Sequence, residues 1–209
     1  MLRRPCILAL VSSMFAVAPA VAVAMPVSNS TVPSCISLVG SDGTSASSIG
    51  TFTVIVRDLA NNPMPGVHVR VDLANAPDLR LCAQQLASGV ILDCPGNAAS
   101  VITDGGGRAV FTLMGSAIAG SSGSGLGNGR IYADGTLLSS PTVSAYDLDG
   151  ASGVGANDFS LWFQDFTIGA TYARSDLDCN GYVGANDLSF WLTAFGGGAQ
   201  SVSCSAKCP

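Results

Sequence analysis

The sequence predicts a mainly β chain, a β-sandwich followed by a small α module of two loop–helix units, and three observations predict it. Charged residues make up 11% of the 209 positions, against 25 glycines and 48% apolar residues; an average globular protein carries about 25% charge. All 14 acidic residues are Asp and none is Glu, so the chain lacks one of the commonest helix-surface residues. Third, residues 147–166 recur 29 positions later as residues 176–195, with eleven of twenty positions identical, which is internal duplication. The rest of the chain reads as short strands joined by Gly/Ser turns.

The N-terminus reads as an address. Arg3 and Arg4 form a positive n-region, an apolar stretch follows from Cys6 to Ala24, and Ala22-Val23-Ala24 offers a small-residue cleavage site before Met25. That three-part pattern is a secretory signal peptide over residues 1–24, with residues 25–31 as a linker. The apolar core is short and interrupted by Pro19, which argues against a membrane span. The expectation is a secreted protein, extracellular or cell-surface, with no membrane span after signal removal. Without Arg3 and Arg4 the chain keeps seven basic residues against 14 Asp, a formal charge of −7. That sign is wrong for generic nucleic-acid binding. One His and no Glu leave acid–base catalysis without its usual players, so no enzyme is expected. The Asn29-Ser30-Thr31 sequon has meaning only in a glycosylating host.

Export changes the meaning of cysteine. Six remain after Cys6, namely Cys35, Cys82, Cys94, Cys179, Cys204 and Cys208, an even number that predicts disulfides. Three lie before residue 145 and three after it, so either a bridge joins the halves or each half keeps a free thiol. Cys82 and Cys94 flank a short segment and are the expected pair. With no CxxC and one His, a structural zinc site is excluded.

From residue 32 to 146 the pattern is β. Residues 51–57 are rich in β-branched side chains, and a turn follows at 61–66. Val67, Val69, Val71 and Leu73 then alternate strictly with His68, Arg70 and Asp72, which puts the apolar set on one face. His68 falls on the other face as a solvated strand residue, with no partner constellation for catalysis. Residues 99–103 and 108–114 are expected as a strand pair around the Asp104–Gly107 turn, where Gly permits positive φ. A hairpin is expected over residues 130–138, turning at Asp134-Gly135. Residues 115–129, ten of them Gly or Ser, read as a loop; they lack a phosphate-binding motif. Roughly seven short strands is the count of an immunoglobulin-like sandwich.

The order of these features resembles the bacterial immunoglobulin-like repeats of invasin- and intimin-type surface proteins. The likeness is carried by residues 58–67, by Thr103-Asp104-Gly105-Gly106-Gly107 and by Ala133-Asp134-Gly135. It bears on fold more than on function.

The duplication carries the chemistry. Its copies read DLDGASGVGANDFSLWFQDF and DLDCNGYVGANDLSFWLTAF, and half the Asp residues of the chain lie within residues 147–187. Such crowding of carboxylates is unfavourable unless a cation binds among them. In the second copy Asp176, Asp178 and Asn180 hold positions 1, 3 and 5, Gly181 position 6 and Asp187 position 12. This is the D-x-D-x-N-G pattern of a calcium loop, in which the backbone carbonyl of Tyr182 at position 7 adds a ligand. Hard oxygen ligands in that number suit Ca²⁺. The first copy has Asp147, Asp149 and Asp158 at positions 1, 3 and 12 and Gly153 at position 7. Ala151 and Ser152 replace the side-chain ligand and the glycine, leaving Gly150 and Gly153 to supply the bend. Weaker binding is expected there, because affinity follows ligand charge and number.

A helical stripe follows each loop: Phe159, Trp162, Phe163 and Phe166, then Leu188, Trp191, Leu192 and Phe195, at i, i+3, i+4 and i+7. Asp158 and Asp187 suit the helix N-termini; Gly169 and Gly196-Gly197-Gly198 end the helices. Two such short helices are unstable alone, so their aromatic faces are expected to pack on each other.

No helix pattern precedes either loop, which makes each unit loop–helix. Two such units 29 residues apart resemble a dockerin, the calcium-dependent module that binds cohesin domains in bacterial cellulosomes and related assemblies. The resemblance spans residues 147–195, within a module drawn as 147–198. It implies Asp176, Asp178, Asn180, Tyr182 and Asp187 as ligands, with Asp147, Asp149 and Asp158 as counterparts. Ala156-Asn157 and Ala185-Asn186 stand where many dockerins carry Ser/Thr recognition residues; shared by both copies, they permit a two-fold-symmetric docking surface. Cys179 is expected to bridge to Cys204 or Cys208 in the 199–209 tail. The implied role is non-catalytic attachment to a cohesin-like domain or surface scaffold, tied indirectly to polysaccharide breakdown. Three alternatives stand: an adhesin or carbohydrate-binding protein that uses the sandwich, a small enzyme with catalytic Asp pairs, and calcium as a purely structural cap.

Overall fold

The computed structural model describes residues 28–118, 128–151, 153–169, 173–196, 202 and 204–209; the expected signal peptide over 1–24, residues 25–27 of the expected linker, Ser152 and Gly197-Gly198 lie outside them. The chain is mainly β with two helices. In order come β1 (Cys35–Leu38), β2 (Phe52–Ile55), β3 (His68–Asp72), β4 (Leu79–Leu81), β5 (Ile91–Asp93), β6 (Ala98–Ile102), β7 (Arg108–Phe111), β8 (Gly115–Ala117), β9 (Arg130–Ala133), β10 (Thr136–Ser139), β11 (Thr142–Ala145), α1 (Ala156–Thr167) and α2 (Ala185–Gly196).

Five strands form an antiparallel sheet ordered β10-β9-β3-β6-β5, while β1–β11, β2–β7 and β4–β8 form two-stranded sheets. The central strand β3 shows why the chain pairs here. Val67, Val69, Val71 and Leu73 are all buried, as the period-two alternation requires. They join Val54, Phe111, Leu113, Ile131 and Val143 in one core to which several of the sheets contribute. His68 is exposed. The Asp134-Gly135 hairpin forms as expected, with φ of 42° and 82°, the two left-handed positions of a type I′ turn.

The expected β6–β7 pair does not form. The two strands leave the Asp104–Gly107 turn into different sheets, β6 to β3 and β5, and β7 to β2. The turn is closed by Asp104 N–H to the Arg108 carbonyl (2.9 Å). Gly107 has φ +69°, and a Cβ there would lie 2.7 Å from the Val56 carbonyl oxygen. That crowding makes the connection an arch between sheets.

The Gly/Ser loop also begins later than composition suggests. Gly115–Ala117 is a strand paired with Leu79–Leu81, and residues 119–127 lie outside the described residues. A Cβ on Gly115 would sit 2.6 Å from the Arg80 carbonyl oxygen. The glycine there serves close strand approach.

The disulfides correct two expectations. Cys82 bonds Cys204, Cys94 bonds Cys208 and Cys35 bonds Cys179. Cys82 does not pair with Cys94, because β4 and β5 belong to different sheets. The tail takes the place beside β4: Cys208 N–H donates to the Leu81 carbonyl (2.8 Å) and Ala83 N–H to the Ala206 carbonyl (2.8 Å). That return delivers Cys204 and Cys208 to the β unit. Cys179 bonds Cys35 rather than a tail cysteine. No thiol among the six is left free, and all three bridges link residues before 95 to residues after 178.

The helices pack crosswise. Trp162 of α1 is buried with Leu148 and with Val183 of the second loop. Trp191 of α2 is buried with Val154 of the first loop, with Leu177, and with Val39 and Tyr146 of the β unit. Of the expected face-to-face packing of the stripes, Phe159 meets Trp191, with ring centroids 5.4 Å apart, and Leu188 packs against the cluster of Leu148, Trp162 and Val183. Phe163, Phe166, Leu192 and Phe195 remain about half exposed, because the tryptophans turn toward the loops and the β unit. A buried bidentate pair, Arg174 to Asp165 at 2.9 and 3.0 Å, fixes the end of α1 to the start of the second loop. No helix among the described residues is long and apolar enough to cross a membrane.

Candidate metal centre

Each duplicated loop folds into a carboxylate cage. In the first, carboxylate oxygens of Asp147, Asp149 and Asp158 all lie within 4.8 Å of one another. Asp147 and Asp158 are buried, at 2% and 1% exposed. In the second, Asp176, Asp178 and Asp187 converge to the same limit, with Asp176 and Asp187 buried. Among the described residues no basic side chain forms an ion pair with Asp149, Asp158, Asp176, Asp178 or Asp187.

The backbone explains why these carboxylates meet. Asp158 closes the first loop: its Oδ1 accepts the N–H of Leu148 (2.6 Å) and Asp149 (2.9 Å), and its Oδ2 that of Gly155 (2.7 Å). Asp187 repeats this with Leu177 (2.7 Å), Asp178 (3.0 Å) and Gly184 (2.7 Å). The position-12 residue therefore caps its helix and ties the loop ends together. Within the second loop Asp176 accepts the N–H of Asn180 (3.1 Å) and Gly181 (2.9 Å). Asn180 Oδ1 accepts the N–H of Tyr182 (3.0 Å), whose ring is exposed.

Left-handed residues make the bends. Gly181 has φ +95° in the second loop; Gly150 and Gly153, both at φ +69°, bend the first. This matches the role expected of Gly150 and Gly153 where Ser152 stands in place of the position-6 glycine.

The electrostatics favour a cation. Burial pushes the Asp158 carboxyl above its ordinary value, and the charge on Asp149 adds to the shift. Asp176 is likewise raised, first by burial and then by the charges of Asp187 and Asp178. Backbone N–H groups oppose both shifts. A divalent cation would relieve desolvation and mutual repulsion together. The donor set is three carboxylates in each loop, joined in the second by the neighbouring Asn180 amide, and is hard oxygen throughout. It fits Ca²⁺, with a fuller side-chain set in the second loop than in the first.

Two contacts were not legible from spacing. Position 4 of each loop is anchored to the rest of the chain: Cys179, at φ +57°, bonds Cys35. Its counterpart Gly150 offers its carbonyl to Lys207 Nζ at 2.7 Å, and the same ammonium lies 3.3 Å from the Ala117 carbonyl. Lys207 is the sole lysine of the chain, but nothing local to it announces a partner 57 residues away. Away from the cages, the Asn29 side-chain amide donates to the carbonyls of Asp58 (3.0 Å) and Leu59 (3.2 Å), so the sequon nitrogen is engaged. No protein-family model, curated protein or solved structure matches the chain.

Proposed function

We propose that this is a secreted, non-catalytic modular protein whose C-terminal dockerin-like module binds Ca²⁺ and attaches the chain to a cohesin-type partner or surface scaffold. The β unit is taken as an immunoglobulin-like spacer. Asp176, Asp178, Asn180, Asp187 and the Tyr182 carbonyl would hold one ion. Asp147, Asp149, Asp158 and the Gly153 carbonyl would hold a second, more weakly. Bound calcium would neutralise the buried carboxylates, and its binding free energy would stabilise the module.

The observation that carries the attachment reading is the half-exposed aromatic surface of the two helices. Phe163, Phe166 and Phe195 are about half exposed, and the pairs Ala156-Asn157 and Ala185-Asn186 at the starts of the same helices are exposed as well. Rings connect in series from Phe163 through Phe166, Trp162 and Phe159 to Trp191 and Phe195. Half-exposed phenylalanines backed by the buried Trp162 and Trp191 suit a protein partner. Three disulfides support export, since such bridges persist in oxidising compartments.

The test is calcium calorimetry on residues 25–209 with an EDTA-treated control, followed by binding to a panel of cohesin domains with and without Phe163→Asp. Two unequal calcium steps and calcium-dependent cohesin binding lost in Phe163→Asp support the proposal. No heat at millimolar calcium overturns it.

One feature favours a second reading, a carbohydrate-binding β unit. An open groove of about 330 Å³ is lined by the hydroxyl residues Ser45, Ser48, Thr51, Ser88 and Thr112. Glycan binding that persists in EDTA and disappears in Thr112→Arg would select it.

A further inference from the structure

We propose that the Cys35–Cys179 bridge is a redox-sensitive site that governs the metal affinity of the second loop, while the other two bridges are structural. The affinity part of this inference rests on the calcium reading; the redox part does not. The bridges differ in access. Cys35 and Cys179 are both half-buried, whereas each of the other bridges pairs a half-buried cysteine, Cys204 or Cys94, with one 2% exposed, Cys82 or Cys208. Thiol–disulfide exchange needs a thiolate to reach a sulfur, and Cys35–Cys179 is the bridge in which neither cysteine is buried, so a soluble dithiol can attack it from either end.

The position of Cys179 gives the bridge its consequence. It sits between Asp178 and Asn180, in the left-handed region at φ +57°, where residues other than Gly are uncommon. The first loop has Gly150 at that place, φ +69°, held by the Lys207 ammonium. One loop is thus tethered covalently and the other by a hydrogen bond. Only the covalent tether responds to a reductant.

The step balances as an ordinary exchange. A thiolate of the dithiol attacks one sulfur of the bridge, and the other cysteine leaves as a thiolate and takes up a proton. The second thiol of the reductant closes on the mixed disulfide, releasing the remaining cysteine. Two electrons pass to the bridge, and the reductant departs as a cyclic disulfide. Cys179 is then free to leave the left-handed region, and Asp178 and Asn180 spread from Asp176 and Asp187. Linkage requires the reverse effect: calcium makes this bridge harder to reduce by the factor by which the bridge tightens calcium binding.

The experiment titrates the full chain with dithiothreitol, with and without calcium, and maps alkylated thiols by mass spectrometry. Calcium binding is measured in parallel on the oxidised chain and on the Cys35→Ser/Cys179→Ser double variant, with Asp176→Asn identifying the second-loop step. Cys35 and Cys179 are expected to be alkylated before the other four, and calcium to raise the reductant required. The double variant is expected to bind roughly tenfold more weakly at the second-loop step alone. Simultaneous reduction of all three bridges, or earlier reduction of another, overturns the redox site. Selective reduction with unchanged calcium affinity overturns the coupling and leaves the calcium reading standing. An oxidised chain that binds no calcium overturns that reading and the coupling, while the order of reduction still decides the site. Should the double variant misfold, the calcium dependence of reduction in the unaltered chain decides the coupling.

Discussion

Asp187 Oδ1 accepts the backbone N–H of Leu177 at 2.7 Å, so the residue that closes the second loop also holds that loop's second residue. Asp187→Ala would strand buried donors at Leu177 and Gly184, and even one such donor costs about 1–3 kcal/mol. It should lower the urea midpoint and remove one calcium step. Asp187→Asn keeps one acceptor oxygen and should fall between the two. Urea unfolding in EDTA separates the structural loss from the loss of metal.

On the proposed calcium reading, removal of the ion should be felt by both tryptophans. Trp162 packs on Val183 of the second loop and Trp191 on Val154 of the first, so emptying either cage loosens the opposite helix. EDTA is expected to shift tryptophan emission to longer wavelength and to lower Tm. A site saturated at a hundredfold over its Kd contributes about 2.7 kcal/mol. Emission spectra and thermal scans across a calcium series check this.

The Arg174–Asp165 pair predicts a sharp asymmetry between variants. Both side chains are buried, and Ser175 Oγ also donates to Asp165 at 2.6 Å. Arg174→Met leaves a buried carboxylate without its cation, a change that costs about 3–5 kcal/mol. The double variant Arg174→Met/Asp165→Leu should recover much of that loss. Chemical denaturation of the three proteins tests the ordering.

Acid stability should depend on Asp104. Its carboxylate accepts the N–H of Gly106 (2.8 Å) and Arg108 (3.0 Å), and these bonds, led by Arg108, hold its pKa below the ordinary carboxylate value. A depressed folded-state pKa means that the stabilisation is complete above the unfolded value and fades as pH falls through the folded one. Asp104→Asn should therefore be less stable than the parent at neutral pH, with the gap narrowing below about pH 4. Urea midpoints measured from neutral to acid pH read the convergence directly.

What the sequence revealed was whatever is local. The alternation at Val67–Leu73 placed β3 correctly because a strand face is set by neighbours two residues apart. The Asp-x-Asp spacing brought Asp176 and Asp178 into one cage because the ligand loop is short and bent by Gly181. Long-range placement was hidden. Cys82 and Cys94 are close in sequence, yet β4 and β5 pair in different sheets. Gly115 reads as loop by composition, although close strand approach requires it. Phe163 and Phe195 carry the core-facing periodicity, but the cross-loop contacts of Trp162 and Trp191 leave them in solvent.

The order in which the cysteines become available during synthesis has its own consequence. The bridges close spans of 144, 122 and 114 residues and interleave: of the six bridged cysteines, the first bonds the fourth, the second the fifth and the third the sixth. As the polypeptide emerges from its N-terminus, Cys35, Cys82 and Cys94 are present together long before any native partner. Every bond they can form among themselves during that interval is a mispairing. Maturation therefore requires that oxidation wait for the downstream half, or that an isomerase unmake what formed early.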